Sequence, residues 1–160
     1  MKIFFSPKTQ SHSPKTFISR GHVIQSPERA ERADILRTAA ENAGHTITEI
    51  FSEHYHPALD IHDEAYIGFL KNGWQQWSIL EGSSEEIIPN VHPGRNMNAN
   101  PSAIVSAAGY YQADTACPIG EKTWEGAKAS ADTVIAAASN LLDRHQNNEH
   151  ENFVYSLCRP

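Results

Sequence analysis

The chain has 160 residues, 39% of them hydrophobic, and its 13 Lys plus Arg against 19 Asp plus Glu leave a net charge of −6. That length is one domain's worth, enough to bury roughly 70% of the unfolded surface. No basic block is present, so nucleic acid and anionic membranes lack an electrostatic footprint, and no apolar run approaches membrane-spanning length.

Lys2 to Phe5 reads as a first strand. Ser6 to Gln25 carries Ser, Thr, Pro, His and Gly with no period and is expected as a long loop, a type of segment that is often functional. Ser26-Pro27-Glu28 announces a helix, with Ser as N-cap, Pro at the first helical position and Glu at the positive end of the dipole. Ala30, Ala33, Leu36, Ala40 and Ala43 follow at helical spacing, and Gly44 supplies the stop. Thr46 to Phe51 is a second strand. Asp63 is placed to cap a helix carrying Tyr66, Ile67, Leu70, Trp74 and Trp77. Glu81 to Pro101 is a second long polar loop, and a short helix is expected over Ala103 to Ala113. Thr123 opens the clearest helix, with Trp124, Ala127, Ala131, Val134, Ile135, Ala138, Leu141 and Leu142 on one face expected to point inward. Phe153 to Cys158 reads as a buried final strand. Strands alternating with helices argue an α/β layer structure with a mainly parallel sheet. The first, second and last strands belong in it, with helices 27–43 and 123–142 against it. No repeat or internal domain boundary is visible, so residues 1–160 read as one unit.

Chemistry-bearing patterns are sparse. Nine histidines are present, the closest groupings being His54-Tyr55-His56 and His62-Asp63. A zinc site needs three or four converging ligands with an orienting shell, and no spacing here completes one, so no metal ligand is assigned. Nucleophile elbow, P-loop and dinucleotide fingerprint are all absent, and Gly94-Arg95-Asn96 is too poor in glycine for a phosphate cradle. Cys117 and Cys158 suggest neither a disulfide framework nor a metal knuckle, and are expected as reduced thiols in a cytoplasmic protein.

A series of segments, in order, resembles one family. Ser26-Pro27-Glu28-Arg29-Ala30-Glu31-Arg32 is similar to its Pro-x-Arg segment. Ile61-His62-Asp63-Glu64-Ala65-Tyr66-Ile67-Gly68-Phe69-Leu70 is similar to its His-Asp-x-x-Tyr-Leu segment. Gly109-Tyr110-Tyr111, Ala113-Asp114-Thr115, Thr123-Trp124-Glu125-Gly126-Ala127 and Tyr155-Ser156-Leu157-Cys158-Arg159-Pro160 continue the series. The family is the acetylpolyamine amidohydrolases within the zinc-dependent histone deacetylase superfamily. In it, the last of these segments runs into a Pro-Gly-His-His turn bearing the catalytic histidines.

The resemblance implies the N-terminal portion of an arginase/deacetylase-like three-layer α/β fold, ending just before that turn. It places Arg29 and Arg159 along the inner channel, where a guanidinium can hold a carboxylate bidentately. The competing reading of Arg29 is a helix-surface arginine pairing with Glu28 or Glu31, and that of Arg159 a strand-end charge reaching solvent. Asp114 would contact substrate at the rim, against an ordinary turn aspartate. Phe17 and Val105 stand where polyamine-selective relatives carry acids, and an ammonium group gains no Coulombic partner from either. The complete enzyme would use zinc to polarise an amide carbonyl and activate water, acting on an acetylated amine or acetyl-lysine. This chain would carry no catalytic residue and no cofactor, and would be inactive alone. Self-association is expected, through the last strand's edge or loop 81–101. The rival reading is a non-catalytic α/β interaction module that self-associates or complements a partner chain.

Overall fold

The computed structural model describes residues 1–51, 58–94, 101–147 and 153–158. Its elements run β1 (Lys2–Phe5), a 3-10 turn (Pro7–Ser11), β2 (Thr16–Ser19), β3 (His22–Gln25), α1 (Glu31–Asn42) and β4 (Thr46–Glu49). Then come α2 (Ala58–Ile61), α3 (Glu64–Ser78), α4 (Ile104–Tyr111), α5 (Thr123–Gln146) and β5 (Tyr155–Leu157). They cluster into two compact units whose segments interleave along the chain. One holds residues 1–12, 30–56 and 125–160, the other 13–29 and 57–124.

The first unit is built on a parallel sheet ordered β4-β1-β5. Ile3 pairs with Ile47 on one side and Tyr155 on the other, as expected from the alternating strand and helix order. Ile3, Phe5 and Leu157 are buried with Ala33 of α1, and Leu36, Ala40 and Ile47 pack at their margin. Arg37 lies over the Phe5 ring at 5.7 Å. The α1 stop is a Schellman turn: Gly44 N–H donates to Glu41 O and His45 N–H to Ala40 O. Gly44 sits at φ 76°, a conformation that glycine adopts without a Cβ penalty.

Helix α5 corrects the expected inward face. Gly126, Ala129, Asp132, Thr133 and Ala137 are buried, whereas Val134 and Ile135 are 47% and 41% exposed and Leu142 is 63% exposed. The reason is closeness of approach. A Cβ on Gly126 would lie 2.7 Å from His12 Cβ, so no side chain fits at that position. Thr133 satisfies its hydroxyl by donating to Ala129 O at 2.6 Å. Val134, Ile135 and Leu142 turn outward, while Trp124 and Leu141 stay half-buried.

The second unit packs α3 and α4 around Phe69, Ile87, Ala108 and Ile119, with Trp74, Trp77, Ile104 and Tyr111 at the margin. Asp63 caps α3 as expected, accepting from Ala65 N and Tyr66 N. Loop 81–94 is held in place: Ile87 and Ile119 exchange hydrogen bonds, and Trp74 and Trp77 donate their indole N–H groups to Glu85 O and Ser84 O. His92 Nδ1 lies 3.0 Å from Gln112 O and 3.3 Å from Gly109 O. Both neighbours are carbonyls, so that nitrogen carries the proton and caps the end of α4.

Three further expectations are corrected. The segment Ser6 to Gln25 is not a plain loop, because β2 and β3 form an antiparallel hairpin with Phe17 opposite Ile24. Arg20 and Gly21 make its turn at φ 52° and 81°, the double positive φ that a two-residue turn of this twist demands. Helix α1 begins at Glu31, not Pro27; Ser26 Oγ instead accepts from Glu28 N in a local turn. The terminal strand is shorter than expected and half-open, with Leu157 buried but Phe153 exposed. His54 and His56 lie outside the described residues.

Candidate functional site

The resemblance-derived residues within the described chain all fall in the second unit. Phe17 is half-buried on β2. Arg29 is exposed beyond β3, where its Nη2 donates to Gln25 Oε1 at 3.3 Å; it precedes α1 and so is not a helix-surface arginine. Val105 is exposed in the first turn of α4. Asp114 is exposed after α4 and accepts from Ala116 N at 2.8 Å, an aspartate closing its own turn. Arg159 lies outside the described residues.

Cys117 feels charge from two of these segments. Desolvation of its sulfur raises the thiol above its ordinary value, and the carboxylates of Asp114 and Glu28 push it further up. Glu28 immediately precedes Arg29, so the segment after β3 lies within electrostatic reach of Cys117. Tyr66 joins the same neighbourhood: desolvation raises its phenol and Cys117 adds to the shift. Tyr66 also stands against other rings, with His62 edge-on at 5.6 Å and Tyr111 at 5.9 Å. Tyr111 in turn stacks on Phe69 at 5.1 Å.

What holds the hairpin that carries Phe17 is a residue the sequence did not signal. Glu86 is buried and accepts from Lys15 N at 2.8 Å, Thr16 N at 3.1 Å and Thr16 Oγ1 at 2.5 Å. Beside it, Lys15 pairs with Glu85 at 2.6 Å on the surface. No local spacing could have revealed Glu86, since its partners lie some seventy positions away.

The first unit has a cleft of its own beyond the carboxyl ends of β1 and β4, the end of a parallel sheet where α/β proteins bind ligands. Ser6, Lys8, Ile50, Phe51, Glu125, Lys128 and Asp132 line it, and its volume is about 50 Å³. Lys128 pairs with buried Asp132 at 3.0 Å. A cavity this small takes a few waters. Among the described residues no group of three His, Cys, Asp or Glu side chains could hold a metal ion. The described residues therefore do not by themselves fit a catalytic zinc.

The fold defines an α/β protein with a parallel sheet. The chain is homologous along its length to acetylpolyamine amidohydrolases. It is 33% identical over 161 residues to the acetylpolyamine amidohydrolase of Burkholderia pseudomallei strain 1710b, covering 100% of this chain and 45% of that protein. It is 30% identical over 141 residues to acetylpolyamine amidohydrolase 1 of Pseudomonas aeruginosa, covering 86% of this chain and 38% of that protein. A crystal structure of the acetylpolyamine aminohydrolase from Burkholderia pseudomallei superposes with a TM-score of 0.87 at 32% identity, over 100% of this chain and 45% of that one. No family model matches. The chain thus spans less than half the length of the relatives it resembles. The resemblance to acetylpolyamine amidohydrolases and the mainly parallel α/β fold expected from it are borne out. Among the described residues, no helix is long and apolar enough to cross a membrane.

Proposed function

We propose that this chain is the N-terminal portion of a metal-dependent amidohydrolase that removes acetyl groups from acetylated amines, either acetylpolyamine or acetyl-lysine. The observation that carries the reading is the agreement of sequence and fold with acetylpolyamine amidohydrolases over the whole of this chain. On this reading residues 1–160 are one contiguous share of a larger domain, and zinc binds residues supplied from outside it. Asp114 contacts the substrate at the rim, Phe17 and Val105 line the entrance, and Arg29 and Arg159 line the inner channel. Val105 and Phe17 bring no charge to the entrance, which favours a substrate with a single distal ammonium or none over a long polyamine. The working protein is cytoplasmic and self-associating.

The test is amide hydrolysis with acetylputrescine, acetylspermidine and an acetyl-lysine peptide, each with added zinc. The purified 160-residue chain should be inactive. The same chain fused to the rest of the Burkholderia relative should hydrolyse at least one substrate, and Asp114→Asn in that fusion should lower kcat/KM about tenfold, the loss of roughly one hydrogen bond to a charged group. Hydrolysis by the isolated chain, or a folded, zinc-loaded fusion that cleaves nothing, would overturn the reading.

A further inference from the structure

We infer that Gln112 is a positioning residue for the candidate site. Its side-chain N–H ties the Asp114 turn to Ile87, beside the residue that holds the β2–β3 hairpin, and so sets where Asp114 meets the substrate. The substrate role of Asp114 rests on the amidohydrolase reading; the anchoring itself is read from the second unit.

Residues 113–118 form a loop closed at both ends on one residue. At its start, Gln112 Nε2 donates to Ile87 O at 3.2 Å. At its end, Ile119 N donates to the same oxygen at 3.2 Å, and Ile87 N donates to Ile119 O at 2.8 Å. Ile87 is fully buried, a fixed point for both. The main chain of Gln112 is held as well, its N–H donating to Ala108 O at 3.1 Å and its O accepting from His92 Nδ1 at 3.0 Å. One position before Ile87 stands Glu86, whose carboxylate grips Lys15 and Thr16 where the hairpin begins. Residues 86 and 87 thus locate the Phe17 strand and the Asp114 turn together. Asp114 is exposed, and the bond it accepts comes from Ala116 N, two positions away. That bond shapes the turn without locating it on the unit.

Stability alone does not explain this side chain. Gln112 is 8% exposed, and its Oε1 is buried with no donor among the described residues. A buried acceptor left without a partner is unfavourable. Methionine has a similar length and shape and would remove that cost, while Ile87 O would keep its bond from Ile119 N. A local rule broken beside residues with a candidate role in binding marks a side chain kept for position.

The experiment has two arms. In the 160-residue chain carrying Gln112→Met, the Ala116 amide should exchange about tenfold faster, as expected for the loss of one hydrogen bond. Amides of Ile87, Ile119 and α3 should exchange as in the parent. His92→Ala, at an exposed position, removes the bond to Gln112 O and should move Ala116 the same way; it replaces Gln112→Met if that variant fails to fold. In the fusion with the rest of the Burkholderia relative, Gln112→Met should raise KM about fivefold and leave kcat within about twofold. In an Asp114→Ala background the same change should move KM by less than about twofold, because Gln112 acts through Asp114. Unchanged Ala116 exchange would overturn the inference. So would Ile87, Ile119 and α3 opening together with Ala116, or an equal effect on KM with and without the Asp114 side chain. A folded fusion that cleaves nothing overturns the amidohydrolase reading, and the exchange arm then decides the anchoring by itself.

Discussion

Replacing Glu86 with alanine should release the β2–β3 hairpin from the rest of its unit. The carboxylate is 7% exposed and accepts the three hydrogen bonds from Lys15 and Thr16. Hydrogen bonds to a charged acceptor are worth about 1.5–3 kcal/mol each. Lys15 is exposed and Thr16 half-buried, so water replaces part of what the donors lose. For the set, about 3 kcal/mol is the reasonable figure, which corresponds to roughly a hundredfold change in the local opening equilibrium. Glutamine is the informative control. Its amide keeps one acceptor oxygen but turns an NH2 toward donors, so Glu86→Gln should cost within about 1 kcal/mol of alanine. Thr16→Val removes the hydroxyl bond alone, at about 1 kcal/mol, and combined with Glu86→Ala should cost less than the two added. Native-state hydrogen exchange reads this directly: amides of Thr16–Ser19 and His22–Gln25 should exchange about a hundredfold faster, with α3 amides as the internal reference. Unchanged exchange in the hairpin, or full rescue by glutamine, would refute the reasoning.

Gly109→Ala should destabilise by at least about 2 kcal/mol in chemical denaturation, against the usual gain from glycine to alanine within a helix. The cause is a Cβ that would fall 1.7 Å from Val91 O. Cys117 should alkylate more slowly at pH 8 than a free cysteine, and Asp114→Asn should speed it, because desolvation and the nearby carboxylates hold its thiol above the ordinary range; iodoacetamide kinetics by mass spectrometry checks both. The Lys15–Glu85 pair should show opposite limits on pH. Glu85 is lowered by its hydrogen bond and attraction to Lys15, so its contribution is present above the unfolded carboxylate value and fades as pH falls through the folded one. Lys15 is raised by Glu85, so its contribution is present below the unfolded lysine value and is lost as pH rises through the folded one. NMR titration in low and high salt should show both shifts shrinking with salt, as expected of an exposed pair.

Local signals were legible where one residue type answers one backbone need. Asp63 is the acceptor that the first turn of α3 lacks, Gly44 takes the positive φ that ends α1, and Lys2–Phe5 is short and apolar enough to be a central strand. The misreadings share a cause: a tertiary constraint outweighed a local one. The hairpin escaped notice because Arg20 stands where Asn or Gly usually announces such a turn. Ser26 and Pro27 have the chemistry of a helix start, yet the helix waits until Glu31. On α5 the largest apolar residues suggested the buried face, but the buried side carries Gly126, Ala129, Asp132, Thr133 and Ala137, and at Gly126 the closeness of His12 admits no side chain. For the candidate site, the order of motifs pointed to the right relatives, whereas Glu86 as an anchor depends on residues distant in sequence.

The strand order carries a consequence for how the protein is made. Strand β1 leaves the ribosome before β4 and can pair with it once the intervening helix α1 has emerged. Its other neighbour, β5, comes much later in the chain, Ile3 pairing with Tyr155. The unit formed by residues 13–29 and 57–124 is fully synthesised before the sheet can be finished. Closing so distant a pair is entropically slow, which makes the sheet a late step in folding. During synthesis the nascent sheet is a two-stranded ribbon with the β5-side edge of β1 bare, the species most in need of a chaperone.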